Sequence, residues 1–256
     1  MNAGSSAPGA KGLVVAAPAS GSGKTTLVAG LLRLLMRRGL GVSALKLGPD
    51  YIDPAFHAAA SGRLCLSIDL WAMRPETVAG LLAGLSQSGI VVAEAAMGLF
   101  DGAADGTGSA ADFAALTGWP VVLAVDARGQ AQSAGALLAG FARHRADVPI
   151  AGVVFNRVGA ASHEAMLRAA AQLVGIPVLG CLPRAADLIL PGRHLGLNTS
   201  GAIVRTNDDH LVVTLGLKDV IVVHTRNATL VADKHSEEQI RHVVKKLEEL
   251  GWSEYL

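Results

Sequence analysis

The residue types best suited to phosphate chemistry sit together in Pro18-Ala19-Ser20-Gly21-Ser22-Gly23-Lys24-Thr25-Thr26. An apolar run, Gly12 to Ala17, precedes them, and an apolar-periodic run starts at Leu27. A strand, a glycine-rich turn, Lys-Thr and a helix form a phosphate cradle. The glycines let backbone N–H groups approach phosphate oxygens, and the helix N-terminus adds partial positive charge. Ser20, Gly21, Ser22, Gly23, Lys24, Thr25 and Thr26 are the expected nucleotide-binding residues. Lys24 would reach the β- and γ-phosphates, and Thr25 would offer its hydroxyl to Mg²⁺. Pro18 stands where the first glycine of G-x-x-x-x-G-K-[ST] belongs. A chance Lys-Thr after a Gly/Ser turn is the plain alternative, but the strand-to-helix context argues for a nucleoside triphosphate site.

Two further groups follow later apolar runs. Lys46-Leu47-Gly48-Pro49-Asp50-Tyr51-Ile52-Asp53-Pro54-Ala55-Phe56-His57 places two carboxylates three residues apart between prolines. They could serve Mg²⁺ and a substrate, or merely cap a proline turn, and the residues alone leave both open. Glu94 ends an apolar run before Ala95-Ala96-Met97-Gly98-Leu99-Phe100-Asp101-Gly102. A carboxylate there, beside the strand of the phosphate loop, suits a Mg²⁺ contact.

The elements that must position these groups alternate. Strands are expected at Leu13–Ala17, Val42–Leu47, Ile90–Glu94, Val121–Val125, Ile150–Phe155 and Val178–Leu182. Helices are expected at Thr25–Arg38, Pro75–Gln87, Ala110–Leu116, Gln130–Arg143 and Ser162–Leu173. Strands apolar throughout and alternating with helices imply an α/β fold, a mostly parallel sheet covered on both faces. Ligands then bind beyond the strands' carboxyl ends. The net charge of +1 over 256 residues gives no general attraction to nucleic acid or an anionic membrane. No apolar run is long enough to suggest a membrane span, and the start has no signal-peptide pattern, so a cytoplasmic protein is expected. Cys65 and Cys181 lack metal-ligand spacing and read as reduced core residues.

Composition shifts near Leu197. The last 59 residues hold 3 of the 30 glycines but 16 of the 43 charged side chains. Short β segments are expected at Ala202–Arg205, Leu211–Leu215, Val220–His224 and Thr229–Ala232, then an amphipathic helix from Ser236 to Leu250. Two domains are expected, 1–197 and 198–256.

PASGSGKTT, KLGPDYIDPAFH, AEAAMGLFDG, VDARGQAQSAGALLAGF, GVVFNRVG and LPR…LPGRHLGL occur in this order. Over about residues 11–197 the chain thereby resembles the ATP-binding amidoligase domain of the cobyrinic acid a,c-diamide synthase family. The resemblance implies a P-loop NTPase fold similar to dethiobiotin synthetase. It implies that ATP and Mg²⁺ activate a corrinoid carboxylate, cobyrinic or hydrogenobyrinic acid, as an acyl phosphate that ammonia converts to the amide. Catalytic roles would fall to Lys24, Asp50, Tyr51, Asp53 and Asp101, and metal contacts to Thr25, Asp53 and Glu94. Asn156 would read the adenine edge. His57 and His194 read as structural or substrate-rim groups. The family continues into a glutaminase domain with a nucleophilic Cys, which neither Cys65 nor Cys181 matches. Ammonia would therefore come from elsewhere. A homodimer is compatible with this reading.

The tail, Asn198–Leu256, resembles the last strands of a mannose-1-phosphate guanylyltransferase catalytic domain, without that family's nucleotide loop. Other readings are a partitioning-type switch ATPase, another ligase of the same fold (dethiobiotin synthetase or cobyric acid synthase) and a nucleotide-sugar enzyme fragment. Ala19, where partitioning ATPases carry an extra lysine, argues against the first.

Overall fold

A computed structural model of the chain describes residues 10–50, 52–85, 89–185, 203–206, 220–224, 228–233 and 237–252. The chain divides into two compact units, 1–187 and 188–256. The first runs β1 (Gly12–Ala16), α1 (Lys24–Arg37), β2 (Val42–Leu47), α2 (Asp53–Ser61), β3 (Leu66–Ile68), α3 (Pro75–Gly84) and β4 (Ile90–Ala95). It continues with α4 (Ala110–Thr117), β5 (Val121–Asp126), α5 (Ser133–His144), β6 (Ile150–Val158), α6 (Ala161–Leu173) and β7 (Val178–Pro183).

The seven strands form one sheet in the order β3-β2-β4-β1-β5-β6-β7, and every pairing is parallel. β1 carries the phosphate loop and lies near the centre, between β4 and β5. Strand alternation divides the core. Val14, Ala16, Leu45, Val91 and Ala93 face a large cluster that takes in Phe113 of α4, Leu138 of α5 and Leu167 of α6. Val15, Val42, Ala44 and Val92 face Val28 and Leu32 of α1, with Ala58 and Ala60 of α2 against them. Lys46 and Glu94 continue that second face, one step beyond Ala44 and Val92.

Two elements were not among those expected from the sequence. KLGPDYIDPAFH does not remain a turn, because Asp53–Ser61 is a helix with Pro54 in its first turn and Gly62 (φ 67°) closing it. Proline loses no helical hydrogen bond there, and Asp53 suits the positive helix end. β3 was not expected, since three residues are too few to show a period. β6 runs on through Val158, three residues past its expected end. Gln87, the expected end of α3, lies outside the described residues.

In the second unit, β8 (Ile203–Thr206), β9 (Val220–His224) and β10 (Thr229–Asp233) form a sheet in the order β10-β9-β8. β8 pairs with β9 in parallel, β10 antiparallel. α7 (Glu237–Glu249) follows. The expected strand at Leu211–Leu215 and the expected cap at Ser236 lie outside the described residues. Among the described residues no helix is long and apolar enough to cross a membrane.

Candidate active site

The loop from Ala17 to Gly23 connects the end of β1 to the start of α1. Gly23 caps α1 at φ 91°, and Gly21 stands at φ 77°, values that side chains resist. The Ser22 hydroxyl donates to the Ala19 carbonyl at 2.9 Å and closes the loop on itself. Lys24 is 5% exposed, and its amine lies 3.5 Å from the same carbonyl. Burial lowers the Lys24 amine below the ordinary lysine value, against the pull of Glu94. Ser20 and Gly21 lie exposed at the loop's tip, while Thr25 and Thr26 open α1 half-buried.

Two expected site residues converge on Thr25. Its hydroxyl donates to Glu94 Oε1 at 2.7 Å and lies 3.2 Å from Asp53 Oδ2. Glu94 arrives from β4, in register with Val15 of β1 and Lys46 of β2. Asp53 arrives from the first turn of α2. Asp50 accepts from the Ile52 and Asp53 backbone N–H groups and thereby starts α2. Asp101, itself exposed, accepts from the buried Gly98 N–H of its own loop at 2.9 Å. That loop is held to the phosphate loop by the Leu99 N–H, which donates to the Ala17 carbonyl at 2.9 Å. A side chain at position 98 would meet the Pro18 carbonyl and Asp101. Tyr51 and His194 lie outside the described residues.

Lys46 joins the site without having been expected there. It is 1% exposed, and its ammonium lies 2.5 Å from Asp53, 3.3 Å from Asp50 and 3.3 Å from Glu94. A signal existed: a lysine inside Val-Ser-Ala-Leu-Lys-Leu, a strand buried on both faces, must find buried counter-charges. His57, fully buried, also reaches the site, with Nε2 bonded to Glu94 Oε2. Burial raises the Glu94 carboxyl, but the bond to His57, the Lys46 charge and the Thr25 hydroxyl outweigh it and hold it below its ordinary value.

Thr25, Asp53 and Glu94 thus gather hard oxygens at one point. Among the described residues no three His, Cys, Asp or Glu side chains form a protein-only metal cage. A Mg²⁺ carried with nucleotide phosphates needs only one or two carboxylates and a hydroxyl, which this donor set fits.

On the other flank of β1, the end of β6 grips the loop. Asn156 Nδ2 donates to the Ser22 carbonyl at 2.9 Å, and Arg157 Nη1 donates to the Gly21 carbonyl at 2.8 Å. Arg157 has φ 60° and pairs with Asp126 of β5 at 2.6 Å. A side chain at position 23 would run into Asn156. The Asn156 amide, expected toward adenine, is thus directed at the loop, with its Oδ1 accepting from the Arg157 N–H. Arg157 and Asp126 carried no sequence signal of this contact.

Comparison with known proteins accords with this geometry. Residues 13–197 match the model of the CobQ/CobB/MinD/ParA nucleotide binding domain, and residues 192–247 that of the MannoseP isomerase/GMP-like beta-helix domain. The hydrogenobyrinate a,c-diamide synthase of Brucella anthropi is 57% identical over 193 residues, 75% of this chain and 44% of that protein. The enzyme of that name from Rhodobacter capsulatus is 57% identical over 196 residues, 74% and 44% of the two chains. The chain therefore spans less than half the length of these relatives. With the family model covering most of its length, the chain belongs to the CobQ/CobB/MinD/ParA nucleotide-binding family.

Proposed function

We propose that residues 1–197 form an ATP-dependent amidoligase domain acting on the side-chain carboxylates of a corrinoid, hydrogenobyrinic or cobyrinic acid, in cobalamin biosynthesis. One observation carries the reading: phosphate-loop residues Lys24 and Thr25 share a buried site with Lys46, Asp53 and Glu94, on the acceptor side of the loop. The names of the relatives supply the substrate class.

A carboxylate oxygen of the corrinoid attacks the γ-phosphorus of ATP, and the bond to the bridging oxygen breaks to release ADP. Ammonia then attacks the acyl carbon; phosphate leaves, one proton is lost, and the amide remains. Lys24 neutralises charge on the transferring phosphoryl group. Lys46 is the second cation; buried among Asp50, Asp53 and Glu94, it offsets their charges, which would otherwise repel the incoming carboxylate. Mg²⁺, when bound with ATP, would be held by Thr25, Asp53 and Glu94 and would neutralise the β- and γ-phosphates. Asp50 and Asp101 flank the acceptor side, with Tyr51 between Asp50 and α2 in sequence. Asn156 shapes the loop on the nucleotide side and keeps one amide hydrogen for the base. Ammonia is the nitrogen donor to the acyl phosphate. The segment 198–256 is a distinct domain without a part in this chemistry, and we place the protein in the cytoplasm.

The test is turnover with ATP, Mg²⁺, ammonium chloride and hydrogenobyrinic or cobyrinic acid, followed by mass spectrometry of the corrinoid. Amide formation matched by ADP release is expected with one of the two acids. ATP binding without corrinoid-dependent ADP or amide would refute the proposal.

A further inference from the structure

The inner face of α2 is polar. Asp53, His57 and Ser61, spaced four apart, are its buried residues. Residues at this spacing share one side of a helix. Asp53 meets Lys46 and Thr25, while His57, among the described residues, hydrogen-bonds Glu94 alone. Nδ1 of His57 is buried and, among the described residues, has no hydrogen-bond partner. An orphaned buried ring nitrogen costs stability in either tautomer, and such groups concentrate where a functional arrangement offsets the cost. A histidine serving only to fill space would be replaced without loss by an apolar residue of like volume. Here its remaining nitrogen is spent on one oxygen of Glu94.

We infer that His57 is a positioning residue. It fastens Glu94 Oε2 so that Oε1 stays turned toward Thr25 and the metal–nucleotide position. Without it, the carboxylate can rotate, and either oxygen can fall to Lys46, whose ammonium lies 3.3 Å from Oε1. The pairing resembles the hydrogen bonds that orient metal-binding side chains in general, whose removal weakens metal affinity about 10- to 100-fold. This role rests on the nucleotide reading of the site given above.

Manganese(II) serves as the probe, titrated into the full chain with ADP and followed by electron paramagnetic resonance. ADP binding without metal and thermal melting are measured alongside. His57→Phe keeps the volume and removes the donor; it is expected to weaken Mn²⁺ binding in the ADP complex about 10- to 100-fold. Metal-free ADP affinity should stay unchanged. His57→Gln can place an amide N–H near the position of Nε2 and should restore most of the affinity. Should His57→Phe fail to fold, the comparison is read on His57→Asn, whose amide is too short to reach Glu94. Wild-type Mn²⁺ affinity in a folded Phe or Asn variant overturns the role of His57 alone. So does an equal loss in the Gln variant, because the contact would then not be what matters. Absence of any Mn²⁺–ADP site in the wild-type chain overturns the nucleotide reading and this role together.

Discussion

Lys46→Met is the most revealing single change in this molecule. Methionine keeps most of the lysine stem's volume but removes the charge between Asp50, Asp53 and Glu94. Taking one partner from a buried ion cluster costs about 3–5 kcal/mol, since the remaining charges stay desolvated and uncompensated. For a unit of this size that corresponds to a fall in Tm of about 6–20 °C. The loss should depend on pH. In the wild type, Glu94 is held below its ordinary value. It therefore contributes stability above that value, which is lost as pH falls through the folded-state pKa. In the variant one of the lowering influences on Glu94 is gone, so burial raises its carboxyl and it takes up a proton at higher pH. The gap between wild type and variant should be widest near pH 7.5 and narrow toward pH 5. Urea unfolding followed by the emission of Trp119, with Trp71 and Trp252 replaced by Phe, reads the first unit, where Trp119 is buried. A gap under about 1 kcal/mol at pH 7.5, well short of the buried-pair cost, would refute the account, and so would a gap that stays constant with pH.

Three other outcomes are expected. Asn156→Ala and Arg157→Ala each remove a donor to a phosphate-loop carbonyl, so ATP should bind about 3- to 30-fold more weakly by calorimetry; unchanged affinity in both would show that the loop keeps its shape unaided. Gly12→Ala brings a methyl carbon within 2.6 Å of Trp119 Cη2, and overpacking of this kind costs about 1–3 kcal/mol; an unshifted melting temperature in calorimetry would contradict that packing. Burial, with Glu94 nearby, pushes the Cys65 thiol up to about 12. Iodoacetamide at pH 8 should therefore modify it at least a hundredfold more slowly than the same thiol in the urea-unfolded chain, and comparable rates would contradict its burial.

The phosphate loop was legible because its residues are contiguous and their spacing is itself the mechanism. Glu94 was legible for another reason: a carboxylate closing an apolar strand has few places to go. Lys46 escaped notice because its neighbours in sequence are apolar and its partners lie up to 48 positions away; only the register of β2 against β4 sets it beside Glu94. α2 escaped because two prolines and two aspartates read equally well as a turn. The choice for helix is made by Asp50, which accepts from the Ile52 and Asp53 N–H groups, and by buried ion pairs on the helix's inner face. Arg157 could not be inferred, since a positive φ in an arginine follows from tertiary contacts and not from local preference. Six of the seven strands of the parallel sheet, by contrast, followed from the alternation of apolar runs and helices.

The order of strands has an evolutionary consequence. Residues 42–101 build the side of the sheet that would meet the acceptor, whereas residues 121–158 build the side that braces the loop for the nucleotide. Each side is one continuous stretch of chain, with β1 as their shared border. A single exchange of genetic material near residue 110 could therefore hand one lineage's acceptor chemistry to another lineage's nucleotide grip. Selection could also remodel either half without rewriting the other.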